Sequence, residues 1–102
     1  MQYPQSSIHY IVEDQRMVGK VHLARSEVHW VLLEIAILTE YRNVGIGTAV
    51  LRYLQEEAKQ SNISIMLSVL NNSPVFRLYE RNGFVVLSND EMYTRMEWTS
   101  SG

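Results

Sequence analysis

The pattern of apolar and polar positions marks the first third of the chain as β-structure. Residues 8–13 and 18–24 read as two strands joined by a polar turn at 14–16. Residues 30–38 are apolar on both faces apart from Glu34, a pattern typical of a central strand that is covered on both sides. We therefore expect three strands before the first helix, with the third inside the sheet.

The period changes to that of a helix after Arg42. Residues 44–60 place their apolar side chains on one helical face, and residues 63–69 form a β-branched, apolar run. Ser73-Pro74 predicts the start of a second helix, which runs to about Asn82 and ends at Gly83 in the left-handed conformation. Two further strands are predicted at 84–87 and 92–98. The resulting order, β-β-β-α-β-α-β-β, indicates an α/β fold in which helices flank a mixed β-sheet. Its strand–helix–strand crossover favours parallel pairing of the 30–38 and 63–69 strands.

Composition narrows the possible functions. The 102 residues fit one domain (1–102), and 46% apolar with 20% charged residues is ordinary for a folded globule. A net charge of −2 gives no electrostatic support for binding nucleic acid. No cysteine is present, which excludes disulfides and thiolate chemistry and is compatible with the reducing cytoplasm that we expect as its location. The start of the sequence lacks a signal-peptide pattern, and no apolar run is long enough to cross a membrane. The three histidines have no ligand-like spacing, so no metal is expected.

The segment with the clearest chemical signal follows the third strand. It reads Arg42-Asn43-Val44-Gly45-Ile46-Gly47-Thr48 and opens the first helix. Glycines allow close backbone approach, and a helix start offers unpaired N–H groups and a positive dipole end, which together suit a phosphate or pyrophosphate. Neither a Walker loop nor a dinucleotide fingerprint fits these residues. Taken alone, the segment is equally compatible with a tight turn that has no ligand.

A second motif, at residues 72–84, changes this interpretation. Together the two segments resemble the signature of the GNAT superfamily of acyl-CoA-dependent N-acyltransferases. The matching positions are Arg42-x-x-Gly45-x-Gly47 and Asn72-x-x-Val75-x-x-Leu78-Tyr79-Glu80-x-x-Gly83-Phe84. The order, spacing and predicted elements agree with that family over most of the chain.

The resemblance implies a set of residues that hold acetyl-CoA. Residues 42–48 would wrap the CoA pyrophosphate, chiefly through main-chain N–H groups: Arg42, Asn43, Val44, Gly45, Ile46, Gly47 and Thr48. Main-chain groups of Ile35, Ala36 and Ile37 would face the pantetheine arm and the thioester, and Asn72 would contact the same arm. An N–H in the 37–38 region would stabilise the oxyanion.

Two residues carry the implied catalysis, each with a plainer alternative. Tyr79 would stand near the sulfur and protonate the departing thiolate, although tyrosines on half-buried helices are often only packing residues. Glu34, the one carboxylate in the central strand, is a candidate general base. Its alternative is a partly exposed residue that pairs with a neighbouring strand, for instance with Lys20.

The beginning of the chain departs from the family pattern. The family has one further strand and two helices before the 8–13 strand, so the chain looks N-terminally shortened. That strand would then be an apolar sheet edge, and we expect a homodimer in which a second copy covers it. The expected function is acetyl transfer from acetyl-CoA to a primary amine on a small molecule or peptide. The alternative is a non-catalytic CoA-binding module that senses the cofactor or supports a partner.

Overall fold

The computed structural model describes residues 6–100 and confirms the predicted order of strands and helices. In chain order the elements are β1 (Ser6–Glu13), β2 (Arg16–Arg25), β3 (His29–Ile37), a 3-10 turn (Thr39–Tyr41), α1 (Ile46–Gln60), β4 (Ser64–Leu70), α2 (Phe76–Arg81), β5 (Val85–Asn89) and β6 (Tyr93–Trp98). The 3-10 turn was not predicted. Most of the polar start that was searched for a targeting signal lies outside the described residues.

The six strands form one mixed sheet in the order β1-β2-β3-β4-β6-β5. All neighbours are antiparallel except β3 and β4, whose parallel pairing confirms the expectation from the crossover helix. This parallel pairing is short. It ends where Leu32 lies opposite Leu67, although β3 continues to Ile37 and β4 to Leu70.

An extra residue in β3 accounts for the early end of the pairing. His22 of β2 lies opposite Glu34, whereas the next residue, Leu23, lies opposite Leu32, so Leu33 has no counterpart in β2. Such a bulge bends its strand and increases the local twist. Beyond it, β3 stays with β2 and β4 stays with β6. The sheet therefore splits into two halves at this point.

Both helices cover the same face of the sheet and contact each other. One core cluster contains Leu51, Leu54 and Ala58 of α1 together with Tyr79 of α2 and the inward-facing residues of the strands. The amide of Gln55 in α1 donates a hydrogen bond to the Asn82 carbonyl at the end of α2, at 2.7 Å. The two helices thus form a single layer.

The opposite face of the sheet carries no helix within residues 6–100. On this face of β3, Val31 is only half-buried and Glu34 is exposed. The prediction that β3 is covered on both sides is therefore wrong, although its central place in the sheet is confirmed. An apolar pattern reports which side chains a strand carries, whereas the cover over each face depends on where other elements pack.

The helix starts differ slightly from the predictions, for local reasons. The first helix begins at Ile46 because Gly45 adopts a left-handed φ of +91°. Before α2, the Phe76 N–H donates to the Ser73 carbonyl at 3.1 Å, and the Ser73 hydroxyl accepts from the Val75 N–H at 3.4 Å. Ser73 thus holds a tight turn that delays the helix to Phe76. Gly83 has the predicted left-handed φ, at +91°.

Candidate functional site

A cavity of about 880 Å³ lies beside the end of β3, beyond the last residue that pairs with β4. Its walls are the end of β3, the turn after the 3-10 segment, the first turn of α1 and the inner side of α2. Apart from Val44 and Asn72, every residue predicted to belong to the site lines this cavity. The splitting of the sheet and the meeting of the two helices therefore bring two distant motifs to one place.

The end of β3 directs main-chain groups into the split. The Leu38 N–H donates to the Val18 carbonyl at 2.8 Å and so points toward β2. Successive residues of a strand direct their backbone groups to opposite edges, so Ile37 and Ile35 direct theirs away from β2. Ala36 lines the cavity but directs its main-chain groups at β2 instead, contrary to the prediction.

The first turn of α1 supplies a group of main-chain donors. The first helical hydrogen bond is made by the Ala49 N–H to the Gly45 carbonyl, at 3.0 Å, and no side chain caps the helix start. The N–H groups of residues 46–48 consequently have no partner in the helix. A Cβ on Gly45 would meet nothing within 4 Å, so the approach to these donors is open on that side.

Gly47 serves the contact between the helices. A Cβ at this position would lie 3.0 Å from a methyl carbon of Leu78 in α2. Glycine therefore allows α2 to approach the first turn of α1 closely. This contact between Gly47 and Leu78 was not predicted, because the sequence alone does not say which side of α1 the second helix packs against.

Arg42 is held against the strand end. Its side-chain Nε donates to the Ile37 carbonyl at 3.0 Å, on the side of β3 that faces the split. Asn43, which follows, has a φ of +64°. Asparagine tolerates this left-handed region better than most residues. These two residues turn the chain from β3 toward α1.

Tyr79 combines deep burial with a place at the cavity wall. Its side chain is only 6% exposed, and its ring lies 5.7 Å from that of Phe84. Burial raises the pKa of its hydroxyl to about 12. Within residues 6–100 the Tyr79 hydroxyl has no hydrogen-bond partner. Every fully buried side-chain oxygen in this range does have a partner, so the Tyr79 hydroxyl is not fully buried. The surface that it reaches is the cavity that Tyr79 lines. A proton is held on this oxygen at neutral pH.

Glu34 lies on the helix-free face of the sheet. It is directly opposite His22, whose neighbours Val21 and Leu23 face the helices. Its carboxylate is 3.6 Å from the Lys20 ammonium, and both side chains are about half exposed. The structure therefore contains the ion pair that the plainer interpretation of Glu34 required. An exposed pair of this kind contributes little stability and opens readily.

Two predicted site residues lie outside the cavity lining. Val44 is exposed at the surface, and Asn72 is exposed in a turn with a φ of +67°. The preceding residue, Asn71, makes the structural contacts instead. Its amide donates to the Asp90 carbonyl and its oxygen accepts from the Thr94 hydroxyl, at 2.8 and 2.7 Å. This turn is thereby tied to the β5–β6 hairpin.

Several lining residues were not predicted as part of the site. The most basic are Arg77 and Arg81, four residues apart on α2 and both exposed. Their spacing places them on one helical face, a signal that the sequence contained. Tyr41 was missed because the 3-10 turn that holds it was missed. Within residues 6–100, no three His, Asp or Glu side chains are grouped to hold a metal ion, and no helix has the length and apolarity to cross a membrane.

Both the sequence and the fold of this chain are similar to those of known proteins. The family model described as "Acetyltransferase (GNAT) domain" matches residues 5–86. Among solved structures, the PaiA N-acetyltransferase of Thermoplasma acidophilum in complex with coenzyme A is 24% identical with a TM-score of 0.82, covering 93% of this chain and 61% of that one. A GNAT family acetyltransferase from Elizabethkingia anophelis with acetyl-CoA bound is 14% identical with a TM-score of 0.82, covering 93% and 76%. The ribosomal-protein-S18-alanine N-acetyltransferase of Escherichia coli is 20% identical with a TM-score of 0.82, covering 96% and 71%. These similarities establish the fold, and the chain spans about three fifths of the length of the Thermoplasma protein.

The burial of Tyr79 predicts a pH dependence of stability. The unfolded chain releases this proton near pH 10, whereas the folded chain releases it near pH 12. Between these values the folded state binds more protons, so the free energy of unfolding falls as pH rises. Tyr79→Phe should lack this loss, which amounts to about 2–3 kcal/mol at most. Urea unfolding of both proteins from pH 8 to 12 measures it, with Tyr53→Phe at an exposed position as the control. A constant difference between parent and Tyr79→Phe across this range would contradict the burial of the hydroxyl.

Proposed function

The chain belongs to the GNAT acetyltransferase family, and on that premise we propose that it transfers an acetyl group from acetyl-CoA to a primary amine. The proposal is supported above all by one arrangement. A single cavity contains uncapped N–H groups of a 15-residue helix, main-chain groups at a split in the sheet, and a protonated tyrosine. Each of these fits a different part of an acyl-CoA thioester.

The first turn of α1 is the proposed seat of the CoA pyrophosphate. Uncapped N–H groups and the positive end of the helix dipole favour a phosphate at this point. The pantetheine arm would then follow the end of β3, where Ile35 and Ile37 direct main-chain groups into the split. The pantetheine arm contains amide groups, so it would bond to these main-chain groups in the way that an added strand would.

The proposed reaction is direct attack of the amine nitrogen on the thioester carbonyl carbon. A C–N bond forms, the C–S bond breaks, and the sulfur leaves as a thiolate. Tyr79 would give its proton to that sulfur, because its hydroxyl carries a proton at neutral pH and the residue lies at the cavity wall. The Ile37 N–H is the proposed oxyanion donor, since the Leu38 N–H is already bonded to Val18.

Glu34 is the proposed acceptor of the amine's proton. Its side chain lies on the helix-free face, whereas Tyr79 lies on the helix side, and both line the cavity through the split. The amine would therefore enter from the open face and the thioester from the helix side. The exposed Lys20 pair leaves Glu34 free to exchange partners when an ammonium substrate arrives.

A homodimer remains part of the proposal. Within residues 6–100 the outer edge of β1 has no paired strand, and Ile8, Tyr10 and Val12 on it are exposed. An antiparallel β1–β1 pairing about a two-fold axis is self-complementary and would satisfy these backbone groups. Ile8, His22 and Glu34 form one row across β1, β2 and β3. A partner strand at this edge would therefore lie about 14 Å from β3, three strand spacings away, and would form part of the amine entrance.

Binding of CoA at the start of α1 is tested by a charge at Thr48. Thr48 lies in the first turn and lines the cavity. Glutamate is favourable for folding at this end of a helix but would repel a pyrophosphate. We expect Thr48→Glu to bind CoA at least ~10-fold more weakly than Thr48→Gln, which has the same shape without the charge, corresponding to about 1.4 kcal/mol. Equal affinities by calorimetry would place the pyrophosphate elsewhere.

The role of Tyr79 is tested by thiol release from acetyl-CoA. Tyr79→Phe removes only the hydroxyl, so kcat should fall by ~10²-fold while CoA affinity holds. The assay uses a panel of small amines, polyamines and peptides with a free N-terminus, and Tyr53→Phe serves as the control. Unchanged turnover would return Tyr79 to a packing role. Tight CoA binding by the parent without turnover on any amine would favour the non-catalytic CoA-binding module.

The dimer is tested by light scattering at micromolar concentration. The parent should have about twice the mass of the 11.9 kDa chain. Tyr10→Lys brings two positive charges together across the axis and should give the monomer. Val86→Lys on the opposite edge strand, β5, is the matched control and should stay dimeric. A monomeric parent that still acetylates an amine would contradict the proposed pairing.

A further inference from the structure

Two arginines on α2 have no function in the reaction described so far. Arg77 and Arg81 lie one turn apart, are both exposed, and both line the cavity. In the described part of the chain, the ion pairs are Lys20–Glu34 and Arg25–Glu57, so neither arginine has an acidic partner there. Two adjacent guanidinium groups without a counter-charge repel each other and attract an anion.

The charge around the cavity is unlike that of the whole protein. The chain has a net charge of −2. Among described residues of the cavity wall, however, three are arginines (Arg42, Arg77 and Arg81), and the acid present, Glu34, is neutralised by Lys20. A concave surface of one charge sign concentrates the opposite charge. The helix end of this cavity is therefore suited to more than one anionic group.

The position of α2 decides which anionic group the two arginines can reach. Leu78, next to Arg77, packs on Gly47, which puts this helix beside the first turn of α1. Arg42 is held at the strand end by its bond to the Ile37 carbonyl. Arg77 and Arg81 therefore line the cavity on a helix that contacts the proposed pyrophosphate site. The ribose 3′-phosphate is the next anionic group of the cofactor beyond its pyrophosphate.

We propose that Arg77 and Arg81 bind the ribose 3′-phosphate of coenzyme A, so that the protein selects CoA over 3′-dephospho-CoA. This inference rests on the proposed function. Guanidinium groups recognise phosphate oxygens through paired, charge-assisted hydrogen bonds. Both arginines are exposed, so each contact is weakened by solvent and by salt.

The test is calorimetry of the whole chain with CoA and with 3′-dephospho-CoA. The parent should bind CoA roughly tenfold more tightly, a difference worth about 1.4 kcal/mol. The double variant Arg77→Gln and Arg81→Gln should lose this preference, with its affinity for 3′-dephospho-CoA nearly unchanged. Arg52→Gln on α1, exposed and outside the cavity lining, is the matched control and should keep the full preference. Raising the salt concentration should reduce the preference in the parent but not in the double variant.

The outcomes separate this inference from the function on which it rests. Equal affinity of the parent for the two ligands would overturn the 3′-phosphate assignment and leave acetyl-CoA binding intact. Equal loss of affinity for both ligands in the double variant would overturn it as well, because the arginines would then act on the pyrophosphate or on folding. Failure of the parent to bind either ligand would overturn the inference and the proposed function together.

Discussion

The end of the β3–β4 pairing at Leu32 and Leu67 is the constraint on which the site depends. Parallel strands in the middle of a sheet normally bond along their whole length, which would leave no room between them. Here one unmatched residue, Leu33, bends β3 away while each strand keeps its outer antiparallel neighbour. The backbone groups released in this way face a cavity rather than another strand. In the proposed function, the amide groups of the pantetheine arm replace the missing partner strand.

The helices complete the site because they pack against each other at its edge. Leu78 on Gly47 and the bond from Gln55 to the Asn82 carbonyl fix α2 against α1. This contact puts the N–H groups of one helix and Tyr79 of the other on the same cavity. The burial that holds Tyr79 in the core also keeps its proton in place, since a charged phenolate is poorly solvated there. Packing thus keeps the hydroxyl that is proposed as the acid in its neutral form.

The one-sided cover of the sheet gives the two proposed substrates separate routes. Helices occupy the face on which Tyr79 lies, and within residues 6–100 the face of Glu34 is open. In the proposed reaction the thioester lies on the helix side and the amine enters from the other side, next to the part of β3 that has no β4 partner. The same open face continues to the β1 edge, along the row of Glu34, His22 and Ile8. The proposed assembly through that edge and the proposed entry of the amine therefore involve the same face of the sheet.

The sequence by itself determined the order of the strands and helices, the parallel crossover and most of the residues around the cavity. These features depend on local properties: side-chain period, the φ tolerance of Asn43 and Gly45, and motif spacing. Tertiary structure alone decided the bulge at Leu33, the one-sided cover of β3, the pairing of Glu34 with Lys20 and the contact of Gly47 with Leu78. A bulge exists only relative to a partner strand, and cover exists only relative to the elements that pack on a face. Neither is written in the period of a single segment, because each depends on distances between residues far apart in the chain.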